Sequence, residues 1–276
     1  MSVSDATSRT TPVRAPGARA EAASAAENSD VHTRILRCML AVEDSAAYWR
    51  HADGAVPLAL RAGVAFAERW FGMKSEARVR TLVVDMAARF DAFPQACALL
   101  HRLGNVPSSV RALVCHLHTQ LADPIYRRFT GDFLPERREH GHATIDRGVV
   151  SRWVESSFPG RWSAITLTKF ASNLLATAFD AGLIVGRREP RKLGVVHAPE
   201  LVAGYTLYLL RDVRIQGTLT DNPYLRSLGI TPSSFRTFAP RIPGIRYAEL
   251  GSTADVAFTE PDLVTWGLRY LGGASA

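Results

Sequence analysis

The sequence predicts a mostly α-helical protein: an N-terminal helical bundle followed by a winged helix-turn-helix-like module with a short β-hairpin and further C-terminal helices. Three observations carry that expectation. Apolar residues recur at helical spacing through the first half, where strand-like alternation is scarce. Residues 161–193, RWSAITLTKFASNLLATAFDAGLIVGRREPRKL, run an amphipathic helix directly into an arginine-rich hairpin. The hydrophobic fraction is 47%, ordinary for a globular chain, and no apolar run approaches the ~20 residues that cross a bilayer.

Residues 1–30 are rich in Ala, Ser, Thr and Arg and poor in large apolar side chains, so they are expected to form a disordered tail. Residues 31–140 are expected to form the bundle. VHTRILRCMLAVEDSAAYWRHA sets Val31, Ile35, Met39, Leu40 and Val42 near helical spacing. In SEARVRTLVVDMAARFDAF, Ser75 suits an N-cap, and Val79, Leu82, Val83, Met86 and Phe90 make a stripe. Pro94 opens the next helix and Gly104 closes it; Ser108 or Ser109 caps VRALVCHLHTQL; Pro124 lies just inside DPIYRRFTGDFL. The polar stretch PERREHGHA, 135–143, reads as a linker.

Residues 141–276 are expected to be the winged-helix-like module. TIDRGVVSRWVESSF puts Ile145, Val149, Trp153, Val154 and Phe158 on one helical side, and PGRW is a tight turn. The next helix, about Ser163 to Ala181, carries an apolar stripe of Leu167, Phe170, Ala171, Leu174, Leu175, Ala178 and Phe179 and ends at Gly182. LIVGRREPRKLGVVHA reads as strand, charged turn and strand. NPYLRSLGITPSSFRTFAPRI repeats a helix–turn–helix outline, with Thr231 at an N-cap and Pro232 after it. EPDLVTWGLRYLG, with Val264, Leu268 and Leu271 in step, closes the module as a helix.

Charge supports a polyanionic partner. The net charge is +7, and residues 187–246 alone hold ten basic against four acidic side chains, an excess of +6. In a winged helix-turn-helix the second helix enters the DNA major groove with its N-terminal residues nearest the bases. That assigns Thr166, Thr168, Lys169, Ser172 and Asn173 to bases or phosphates, with Thr177 on the same outward side. Arg187, Arg188, Arg191 and Lys192 become wing contacts, and Arg236 a contact on the second helix–turn–helix outline. A solvated helix beside a charged hairpin, or a winged module that binds protein, would give the same pattern.

Cys97, His101, Cys115 and His118 form a C-x3-H…C-x2-H set that zinc accepts, although both cysteines also fit apolar helix faces. His140 and His142 sit in a polar stretch and fit a solvated loop. No phosphate loop, GxSxG elbow, HExxH or GxGxxG is present, so no catalytic residue, metal or cofactor is expected and the chain reads as non-enzymatic. Three sparse cysteines and no apolar leader fit free thiols in the cytoplasm.

RWSAITLTKFASNLLATAFDAGLI, with YLLR and DNPYLRSLGI downstream, resembles the BrxA family (DUF1819) of bacterial bacteriophage-exclusion (BREX) defence systems. The shared pattern falls on Trp162, Thr166 or Thr168, Lys169, Gly182 and Leu183; RWFG, RFDAFPQA and DPIYRRFTGDFL are compatible, so the likeness covers most of 30–270. The resemblance implies a mostly helical, cytoplasmic protein without activity of its own. It implies binding to double-stranded DNA and work beside a methyltransferase, an ATPase and a phosphatase-like protein. The residues leave two alternatives: a protein-interaction scaffold of such a complex, and an RNA-binding helical module of antitermination type.

Overall fold

Ser75, Asp123, Asp146, Ser163, Asn222, Thr231 and Asp262 each accept a hydrogen bond from a backbone N–H two or three residues ahead, and each starts a helix. A short polar side chain satisfies an orphan first-turn donor there, so the sequence itself punctuates the chain into helices. The computed structural model describes residues 25–54, 56–250 and 253–272. In chain order these hold β1 (Ala25–Ala26), a 3-10 turn (Arg34–Leu36), α1 (Val42–His51), α2 (Leu58–Ala67), α3 (Glu76–Phe90), α4 (Pro94–Leu103) and α5 (Ser108–Ala122). Next come α6 (Pro124–Arg128), a π-helical turn (Phe129–Phe133), α7 (Leu134–Glu139), β2 (Thr144–Ile145), α8 (Arg147–Ser157), α9 (Ala164–Asp180) and β3 (Arg191–Lys192). The chain finishes with α10 (Glu200–Leu210), β4 (Val213–Arg214), α11 (Pro223–Ser227), α12 (Pro232–Phe238), a 3-10 turn (Ala239–Arg241), β5 (Ile245–Leu250), β6 (Thr253–Phe258) and α13 (Leu263–Tyr270). The mostly α-helical class is as expected.

The α3 stripe is buried at all five expected positions, and Asp85 and Arg89 are buried with it. These two charges explain why the helix expected across 31–52 is broken. Arg37 pairs with Asp85 at 2.7 Å, and Arg89 donates to the carbonyls of Cys38, Met39 and Leu40 at 2.7, 2.7 and 3.0 Å. Those carbonyls are thereby satisfied outside any helix, and Ala41 takes φ 49° before α1 begins. Pro107 rather than a serine precedes α5, whose first residue is Ser108; the Ser109 side chain lies outside the described residues.

Residues 1–24 of the expected tail lie outside the described residues, but its last part is ordered. β1 pairs parallel with β4, Asn28 N–H donates to Leu121 O at 2.8 Å, and the Glu27 carboxylate accepts from the Tyr224 hydroxyl at 2.5 Å. Polar contacts hold a segment that apolar burial alone would not. The expected linker is also different: residues 135–139 finish a helical run that is continuous from Pro124. Its polar side chains have structural partners, since the Arg138 guanidinium donates to Leu183 O and Gly194 O at 2.6 and 3.1 Å.

The apolar core runs across the 140/141 boundary. α10 packs on both α5 and α13, and α13 packs on α4. The closing helix therefore returns to the bundle rather than only to its own module. It does so with Leu263, Trp266, Gly267 and Leu271, while Leu268 stays exposed. A Cβ at Gly267 would stand 2.2 Å from the Leu99 side chain, so glycine allows the two helices to meet. The β5–β6 hairpin, paired from Ile245↔Phe258 to Leu250↔Thr253, is an element the helical reading passed over.

Two buried histidines on α5 tie the halves together. His116 bonds Tyr126 Oη and Ser227 Oγ, each at 2.9 Å; His118 bonds Arg89 O at 3.0 Å and Tyr205 Oη at 2.8 Å. Burial lowers the His116 imidazole from 6.5 to about 3 and the His118 imidazole to about 4. Both are neutral in the fold and ordinary in the unfolded chain, which takes up protons as pH falls below 6.5. Stability is expected to decline from that pH towards 4 by about 1.4 kcal/mol per pH unit for each imidazole. Urea midpoints measured at pH 7, 6, 5 and 4 check this, and a His116→Gln, His118→Gln double variant should show a flatter pH dependence.

Candidate nucleic-acid interface

Asp146 caps α8, Gly160 turns the chain at φ 66°, and Ser163 caps α9, so the two helices pack against each other across a short turn. β2, just before α8, pairs antiparallel with β3, just after the arginine-rich turn: Thr144↔Lys192 and Ile145↔Arg191. Lys192 also bridges Val185 on the far side of that turn. β3 is thus the middle of three short segments, the strand arrangement of a winged helix. The expected hairpin exists, in shortened form and joined by a strand from before the helices.

Aromatic contacts hold this unit together and to the long helical run. Trp153 of α8 stacks on Phe133 with ring centres 4.9 Å apart, and Trp162 lies 4.5 Å from Phe170 of α9. The Arg128 guanidinium covers Phe158 at 5.0 Å. α9 is thereby fixed on one side. Its apolar stripe is buried at Leu167, Phe170, Ala171, Leu174, Leu175 and Ala178.

The structure divides the expected contact residues into two groups. Thr168 and Lys169 are exposed on the first two turns of α9, and Arg187 and Arg188 are exposed on the wing, as is Lys192 on β3. Thr166 and Ser172 are half-buried; Thr166 lies in the Ser163 cap, with the hydroxyls 3.1 Å apart, and Ser172 donates to Thr168 O. Thr168 also returns its hydroxyl proton to the helix, at Ala164 O, which leaves oxygen lone pairs for a ligand.

Asn173, Thr177 and Arg191 differ from expectation. The Asn173 amide donates to Ile35 O at 3.0 Å, because the Arg34–Leu36 turn packs on α9 and covers it. Thr177 is fully buried and bonds Asn173 O. Arg191 is half-buried: its guanidinium donates to Leu175 O at 2.9 Å and lies over the Phe179 ring at 5.8 Å. It braces the wing against α9. Arg236 is exposed on α12, whose Phe235 packs on Tyr247 of the β5–β6 hairpin, so it belongs to that neighbourhood.

Sequence reasoning missed Arg147 and Arg152 on α8, Arg161 in the turn, and Ile165, which is 71% exposed on the first turn of α9. The interval 144–193 holds eight basic and four acidic residues. Three of the acids have internal duties: Asp146 caps α8, Glu155 accepts from Gly160 N–H, and Glu189 pairs with Arg147 at 2.8 Å. For the fourth, Asp180, burial raises the carboxyl while Arg187 and Arg191 oppose that shift. The surface is left with a positive excess.

The four metal-ligand candidates do not converge. Cys97 and His101 line a cleft with Asp53, Arg61 and Asp91, whereas Cys115 and His118 are buried in the core. Burial pushes the Cys115 thiol up to about 12, and both His118 ring nitrogens already have partners. Among the described residues no group of three or more His, Cys, Asp or Glu could hold a metal ion, and no helix is long and apolar enough to cross a membrane. No protein-family model matches this sequence, and no curated protein matches it.

The two groups of residues should separate experimentally. Arg191→Ala is expected to lower stability by about 1–3 kcal/mol, through a lost carbonyl bond and lost packing. Lys169→Ala and Arg188→Ala should stay within about 0.5 kcal/mol of the parent. Thermal melts of the three variants check the assignment.

Proposed function

We propose that this chain is a non-enzymatic, cytoplasmic, double-stranded DNA-binding accessory protein of a bacterial BREX-type anti-phage system. Its partners there would be the methyltransferase, ATPase and phosphatase-like components. The observation that carries the DNA reading is the division of α9: its apolar stripe is buried, while Thr168 and Lys169 stand exposed on its first two turns. Arg187, Arg188 and Lys192 supply cations on the hairpin that follows. The N-terminal residues of such a helix are the ones that reach base edges, and wing cations neutralise phosphates. The placement within a defence system rests on the sequence resemblance to the BrxA family.

Ile165 favours a second reading. An isoleucine 71% exposed three residues before Thr168 suits contact with a thymine methyl group, but it equally suits an apolar patch on a protein. In that reading the module is a scaffold that docks another defence component.

Duplex binding titrated against salt separates the two. With two to four phosphates neutralised, log K against log salt is expected to fall with a slope of about −2 to −4. Lys169→Glu combined with Arg188→Glu should weaken binding more than about tenfold and make the slope shallower by about 2. A double variant that melts like the parent and binds duplex equally well would sink the assignment. Absence of duplex binding at low salt, with retention of protein partners, would favour the scaffold.

A further inference from the structure

At about 100° per residue, α9 places Ile165 near the centre of the face opposite its buried stripe. Ser172 and Ala176 fall within about 20° of it, and Thr168 and Lys169 stand about 60° and 40° to either side. Ser172 and Ala176 are small and half-buried, so Ile165, 71% exposed, is the one large side chain on that central line. In the last turn the face passes under the wing. Phe179 is covered by the Arg187 and Arg191 guanidiniums at 5.6 and 5.8 Å, and Asp180 faces the same two arginines.

Hydrogen bonding gives this face little power to tell bases apart. α9 contains no Arg, Gln or Glu. Its one amide, Asn173, donates to Ile35 O at 3.0 Å. The Thr168 and Ser172 hydroxyls donate to Ala164 O and Thr168 O, which leaves each a single-atom acceptor. Such an acceptor takes the amino group of adenine or of cytosine alike. Lys169 stands to one side, where a flexible point charge serves a phosphate. Apolar contact remains, and the apolar group that a major groove displays is the C5 methyl of a pyrimidine. We propose, resting on the DNA reading, that Ile165 sets the base preference of α9 through contact with pyrimidine C5 methyl groups, those of thymine or of 5-methylcytosine.

A protein hot spot is a packed cluster around its anchor, and the other exposed aliphatic side chains of this unit lie elsewhere. Val185 bridges to Lys192, beside the Arg191 that reaches Leu175 O, ten residues or about 15 Å along the axis from Ile165. Val195 lines a different cleft, with Pro135 and Gly229. Trp162, three residues before Ile165, lies against Phe170 at 4.5 Å with Arg161 over it at 5.4 Å. A single isoleucine in line with small residues matches an isolated methyl group on the floor of a groove.

Binding of the full chain at low salt to four duplexes of one length tests this. Two are A·T duplexes, with thymine or with uracil; two are G·C duplexes, with 5-methylcytosine or with cytosine. Within each pair only the methyl group changes. The methylated member is expected to bind about fourfold tighter for each methyl group that Ile165 covers. Ile165→Ser should bring each pair level while keeping the parent's melting temperature and salt slope, since it removes no phosphate contact. Equal binding within either pair by the parent would overturn the proposal and leave the DNA reading standing. So would a methyl preference that Ile165→Ser retains. A parent that binds none of the four at low salt would bring down the DNA reading itself, and this proposal with it.

Discussion

Helix α5 is buried on every side from Val114 to Ala122, yet two histidines, a threonine and a glutamine lie in that stretch. A buried polar side chain without a partner costs about 1–3 kcal/mol, so the position of everything around α5 is constrained by the need to satisfy these four. His118 is met by the backbone of α3 and by Tyr205 of α10. His116 is met by Tyr126 of α6 and Ser227 of α11, and Gln120 donates to Thr130 in the π-turn. Thr119 closes on its own helix at Cys115 O. Elements from both ends of the chain must therefore be in place at once. This is why a boundary near 140 marks a change in surface character and not a separation of cores.

The same logic fixes the winged unit. Arg138 holds the carbonyls of Leu183 and Gly194, which flank the hairpin on either side, and Arg191 holds Leu175 O from within it. Each of these arginines directs part of its guanidinium at carbonyls inside the fold, which holds it against the scaffold. The arginines available to a polyanion are those that the scaffold does not use for itself, such as Arg188, and they lie beside ones that it does.

How much of this was legible follows from the range of the interactions involved. Helix starts are local: Ser75, Ser163 and Thr231 act on a backbone N–H three residues away, and all were readable. The α3 and α9 stripes are periodic and were readable for the same reason. The break at 37–41 was not, because its cause is Arg89, some fifty residues distant. Asn173 shows the same limit within the site: helical spacing turned it outward, and Ile35 then covered it. The β5–β6 hairpin was within reach, since Ile245, Tyr247, Val256 and Phe258 alternate around a Gly-Ser pair, but the helical pattern of its neighbours masked it. Arg61 was invisible to pattern reading, as an arginine in an apolar helix is ordinarily its exposed residue.

Hydrogen exchange of the full chain, with and without a duplex DNA fragment at low salt, tests the central claim most directly, because it reports the contact surface without any substitution. Added protection is expected at residues 161–172, the turn and first half of α9, and at 185–193, the wing. No change is expected at 58–67, which the duplex does not reach. Protection confined to other segments, or an exchange pattern indifferent to DNA, would contradict the account.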